Sequence, residues 1–97
     1  MKKLLVLMVI LSLIGTMKAQ DTLTVLQYNL LNYGNYTSYC TSNNNLVSTK
    51  DGYIKTIINY VKPDIFSVNE MVASEAMMEH LLGVLNSGWT NRYKRPE

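Results

Sequence analysis

Apolar and polar positions along this chain change their spacing several times, and each change marks an element. Leu4 to Ile14 is apolar apart from Ser12. A second apolar stretch, Leu23-Thr24-Val25-Leu26-Gln27-Tyr28, is short and rich in residues that suit a pleated surface, which predicts a strand. Leu23, Val25 and Gln27 point one way, and Thr24, Leu26 and Tyr28 the other. Bulk on both faces predicts a strand covered on both sides, as in a layered sheet. Asn29 to Asn35 is then expected to leave the sheet. From Asn35 to Ser48 the composition turns to Asn, Ser, Thr and Tyr, side chains that hydrogen-bond their own backbone. That predicts a surface loop.

A helical period follows. Ile54, Ile57, Ile58 and Val61 recur at i, i+3, i+4 and i+7, which predicts a helix from Thr49 or Lys50 to Val61. Ser48 or Thr49 is the expected cap, with Asp51 in the first turn facing the positive end of the dipole. Burying the four apolar side chains stabilises by about 6–12 kcal/mol before entropy is counted, so the stripe must face a sheet. Lys62 suits the negative end, and Pro63 forbids continuation. Ile65, Phe66 and Val68 then predict a buried strand over Asp64–Asn69, with Glu70 where that strand leaves the sheet. A second helix is expected from Ser74 to Asn86, capped by Ser74 and buried along Met77, Met78, Leu81, Leu82 and Leu85. His80 reads as a surface or boundary histidine. Trp89 to Glu97 shows no clear pattern.

Charge and composition change the picture at the amino terminus. Met1-Lys2-Lys3 is a basic start to the first apolar run, and Gly15 to Ala19 supplies small residues after it. This layout predicts a signal peptide over residues 1–19, cut after Ala19, and a secreted or periplasmic product. The run is shorter than the roughly 20 residues that span a bilayer, and an uncleaved membrane anchor is the alternative reading. With Lys2, Lys3 and Lys18 removed, six basic residues face seven acidic ones, a net of −1. The slightly basic character therefore belongs to the export signal and is no evidence for nucleic-acid binding. Arg92-Tyr93-Lys94-Arg95 is too short to count as a phosphate-binding patch. Cys40 is the only cysteine, which excludes an internal disulfide, and one histidine excludes a zinc site built from Cys and His pairs. Asn35-Tyr36-Thr37 matches the glycosylation acceptor pattern.

Strand, helix, strand in that order is the crossover unit of a parallel sheet. Parallel strands end at one edge, about 4.8 Å apart, so Asn29 and Glu70 are expected to project into one crevice. A carboxylate and a carboxamide offer hard oxygen ligands, which suit Mg²⁺, Mn²⁺ or Ca²⁺ better than zinc. The bland alternative stays open: an Asn after a strand is commonly a turn residue, and a Glu there is commonly solvated.

Leu23 to Asn32, an apolar strand that ends on an aromatic residue and then Asn29, resembles the opening of the endonuclease/exonuclease/phosphatase superfamily, the deoxyribonuclease-I-like fold. Pro63-Asp64-Ile65-Phe66-Ser67-Val68-Asn69-Glu70 resembles its second signature, in which an apolar strand after "PDI" delivers a glutamate. Asn69 stands where Gln is commoner. The resemblance implies an α/β fold, the N-terminal part of a four-layer α/β sandwich over residues 20–97. It implies that Glu70 binds a divalent metal and that Asn29 orients the metal's waters or a phosphate oxygen. The implied activity is a secreted, Mg²⁺-dependent phosphoesterase, nuclease or phosphatase, acting on a phosphate-ester substrate, with nucleic acid among the candidates. The family's later Asp/Asn pair and two histidines have no counterpart here. The expectation is therefore an incomplete fold, a truncated or partial sequence of a bacterial member, inactive and poorly stable by itself. The competing expectation is an exported, non-catalytic binding or adhesion module on the same fold, using the Tyr/Asn-rich loop.

Overall fold

The computed structural model describes Lys3 and residues 21–97. Apart from Lys3, the predicted signal peptide lies outside the described residues. Within them the elements run β1 (Val25–Tyr33), α1 (Val47–Val61), β2 (Ile65–Met71) and α2 (Glu75–Asn86). The fold is mixed α/β, with β1 and β2 paired in parallel and α1 as the crossover. No helix among the described residues is long and apolar enough to cross a membrane.

The register runs Val25↔Ile65, Leu26↔Phe66, Gln27↔Ser67, Tyr28↔Val68 and Asn29↔Asn69, breaks, and resumes at Tyr33↔Met71. Alternation then decides which side chains meet the helices. Leu26, Phe66 and Val68 pack against a core of Leu30, Tyr33, Ile54, Ile58, Leu81, Val84, Leu85 and Tyr93. Val25 and Ile65 lie about half-exposed on the other face. The expectation of a strand covered on both sides is thus corrected. Helices cover one face only, and the second face carries Val25 and Ile65 beside Gln27, Ser67, Asn29 and Asn69.

Boundaries differ from the sequence reading in ways that matter for the site. β1 does not leave the sheet after Tyr28. It continues to Tyr33 because Leu31 (φ 47°) and Asn32 (φ 57°) turn left-handed and return Tyr33 to the core, where it is fully buried. β2 likewise continues past Glu70 to Met71. α1 begins at Val47, earlier than expected, with Leu46 at the cap position and no side-chain cap bond. Ser48 and Thr49 are inside the helix, and its first turn holds no acidic residue. Asp51 is one turn further in and serves another purpose, described below. At the other end, Lys62 closes α1 in the left-handed conformation (φ 50°), its N–H donating to the Ile58 carbonyl at 2.8 Å. Pro63 then enters the core.

α2 matches its reading in bounds and cap, and its buried face is Leu81, Val84 and Leu85, of which Val84 was not expected. Ser74 caps it, accepting from the Met77 N–H at 3.1 Å, and Glu75 lies in the first turn. The unpatterned tail is held in place: Asn86 donates to the Tyr93 carbonyl and accepts from its N–H, and the Tyr93 hydroxyl donates to the Pro63 carbonyl at 2.7 Å.

Candidate functional site at the strand ends

Parallel pairing brings the two expected site residues to one end of the sheet. Asn29 faces Asn69 in the register, and Glu70 is the next residue along β2, where the ladder is irregular. Both side chains are exposed. Glu70 adopts φ 57°, a left-handed backbone that side chains other than Gly rarely accept. The three ion pairs among the described residues use Asp51, Glu75 and Glu79, so the Glu70 carboxylate is in none of them.

The Asn29 carboxamide has local work. Its Oδ1 accepts the Leu31 N–H at 2.8 Å, the turn-forming role that the bland reading assigns to such a residue. A carbonyl oxygen carries two lone pairs, so this bond leaves one acceptor position and the Nδ2 donors.

Left-handed residues concentrate here. Leu31, Asn32, Gly34 and Glu70 all have positive φ at the carboxyl ends of the two strands. Each non-glycine case costs about 1–2 kcal/mol. At Gly34 (φ 75°) the left-handed backbone favours glycine, and a Cβ would lie 2.8 Å from the Met77 Cε, the movable end of a flexible side chain, and 3.0 Å from the Val72 Cγ1.

Two neighbours that sequence reasoning missed hold this bend. The Lys50 ammonium donates to the Leu30 carbonyl at 2.7 Å and the Leu31 carbonyl at 2.6 Å. Desolvation draws its pKa below the ordinary lysine value, with the nearby Cys40 pulling weakly the other way. Asn45 is almost wholly buried and donates through Nδ2 to the Asn32 carbonyl at 2.8 Å and the Asn35 carbonyl at 3.3 Å. Asn32 in turn directs its amide at the Cys40 sulfur, 3.3 Å away. A lysine one turn into a helix and an asparagine in a polar loop give no sequence signal of such roles.

No family model matches this chain, and no curated protein or solved structure does.

A second polar cluster joins the end of β1 to both helices. The Tyr33 hydroxyl donates to Asp51 Oδ1 at 2.5 Å, and His80 Nε2 lies 2.8 Å from Asp51 Oδ2. Burial, then the bond to Asp51, then its negative charge push the Tyr33 hydroxyl far above the usual phenol range. His80 is indeed at the boundary, with its side chain 44% exposed, but it is tied to α1 and not simply solvated.

As a donor set for a hard cation, the strand ends present the Glu70 carboxylate and the spare lone pair on Asn29 Oδ1. Among the described residues no group of three or more His, Cys, Asp or Glu is placed to hold a metal. Mg²⁺ fits such a sparse set, since it keeps several waters and needs only one or two protein carboxylates.

Proposed function

We propose that the chain contributes the metal-holding strand ends of a divalent-cation-dependent phosphoesterase with a layered α/β sandwich fold. The observation that carries this reading is the coincidence of an exposed carboxylate, in no ion pair among the described residues, with left-handed backbone at the carboxyl edge of a parallel pair. Open α/β sheets bind ligands at that edge, and strain of this kind persists where a site needs it. Glu70 would hold the cation, and Asn29 would orient its waters or a phosphate oxygen. The cation would supply polarisation of a phosphoryl oxygen and activation of bound water.

In this reading Glu70 would hold the cation close to where negative charge gathers on the phosphoryl group. Asn29 keeps Oδ1 on the Leu31 N–H and offers Nδ2 to a negatively charged oxygen. Efficient hydrolysis also needs a base to take a proton from the nucleophile. Titration of the 97-residue chain with Mn²⁺ tests the core of the reading. Glu70→Gln is expected to weaken binding by at least about tenfold, equivalent to about 1.4 kcal/mol. Equal affinity in wild type and variant defeats it.

A second reading has its own observation. Tyr36 and Tyr39, in the loop between β1 and α1, are 51% and 86% exposed. Exposed tyrosines suit a protein-binding or adhesive surface. That reading predicts a bound partner released by Tyr39→Ser and unaffected by Glu70→Gln.

A further inference from the structure

The β1–β2 register is irregular between Asn29 and Tyr33, and the three consecutive carbonyls there each accept a side-chain donor, that of Asn32 together with the Asn35 N–H at 2.9 Å. Lys50, from α1, takes Leu30 and Leu31; Asn45, from the loop before α1, takes Asn32. A half-buried ammonium is expensive to desolvate, and it is kept here on two short bonds to backbone oxygen. The Leu30 carbonyl belongs to the same peptide unit as the Leu31 N–H that holds Asn29 Oδ1, and the Leu31 carbonyl to the next unit. We propose that Lys50, backed by Asn45, is the positioning residue of this strand end: it fixes the left-handed turn after Asn29 and so sets the Asn29 carboxamide at the end of the sheet that Glu70 shares. Among the described residues Lys50 makes no hydrogen bond or ion pair with either side chain, and it acts through the backbone that follows Asn29.

The assignment rests on the metal reading of Glu70, and its test separates the two. Amide exchange at Leu31 reports the bond to Asn29, and Mn²⁺ affinity, measured by water-proton relaxation, reports the site. Both are read on the 97-residue chain at low temperature for wild type, Lys50→Met, Lys50→Arg and Glu70→Gln. Lys50→Met is expected to speed Leu31 exchange about tenfold, as for loss of a net stabilisation near 1.4 kcal/mol. It is also expected to weaken Mn²⁺ about tenfold, the usual cost of losing a supporting partner of a ligand. Lys50→Arg restores both, because its guanidinium still donates to two carbonyls. A nearby charge with no positioning role predicts the opposite sign, since removing a cation tightens Mn²⁺ binding.

Unchanged Leu31 exchange in Lys50→Met overturns the proposal, as does unchanged or tighter Mn²⁺ binding. Loss of binding in Glu70→Gln but not in Lys50→Met overturns only the positioning role. Equal binding in wild type and Glu70→Gln overturns both. If loss of Ile58 amide protection shows that Lys50→Met does not fold, Lys50→Gln, which keeps a shorter neutral donor, is read on the same two scales with the same outcomes.

Discussion

The Tyr33 hydroxyl is buried and donates to Asp51, so removing its proton would set a phenolate against a carboxylate in a desolvated site. Its folded-state pKa is raised above the unfolded value near 10. The resulting stability is complete below about pH 10 and is lost as pH rises beyond it, at about 1.4 kcal/mol per pH unit. Lys50 works in the opposite sense. Its pKa is depressed, so its contribution is present above the unfolded value near 10.5 and lost as pH falls through the folded one. Tyr33→Phe separates them: urea unfolding followed against pH should lose the decline above pH 10. At neutral pH the same variant should cost about 1–3 kcal/mol, because Asp51 loses a buried donor. A decline of the same slope in Tyr33→Phe would show that another group causes it.

Among the elements, α2 and the apolar stripe of α1 were the most legible in the sequence. Both announce themselves through a 3.6-residue period, and Ser74 through a side chain able to accept from the Met77 N–H. Ser74→Ala should cost about 1 kcal/mol in thermal or urea unfolding. The apolar runs mark both strands but stop short of their ends. The pattern ends β1 at Tyr28 because Asn29-Leu30-Leu31-Asn32 reads as an exit, and only long-range burial of Tyr33 brings the backbone back to the ladder. Local rules put Asp51 in the first turn, but that turn lies earlier, because Leu46 opens the helix without the polar cap those rules look for. At the site, the spacing of Asn29 and Glu70 from their apolar runs was readable, whereas Lys50 and Asn45 gain meaning only once the chain bends back on them. Gly34→Ala tests the bend itself. Left-handed strain of about 1–2 kcal/mol adds to contacts with Met77 and Val72, and the loss should appear in the unfolding midpoint.

On the scale of the whole molecule, the uneven covering of the sheet matters most. Leu23, Val25 and Ile65 are 68%, 57% and 49% exposed, on and beside the face the helices leave open. Two strands and two helices bury a small core, and small cores seldom supply more than about 3–5 kcal/mol. The chain should therefore unfold at low urea and bind a fluorescent apolar dye while still folded. Replacing Val25 and Ile65 with Thr should cut that dye signal with little change in the urea midpoint. Retention of the full signal would place the dye elsewhere.

The crossover between the strands also bears on how the chain is made. Thr24 and Asp64, which tie the two strands at their start, are 40 residues apart in sequence. At a synthesis rate of about 5–20 residues per second, β1 would emerge from the ribosome roughly 2–8 s before β2 exists to pair with it. Local helices need no such wait, so α1 can form while the apolar Val25–Tyr28 segment has no neighbour. Over those seconds a holding chaperone, or an unwanted strand from another nascent chain, competes for the edge that Ile65 to Asn69 will later occupy.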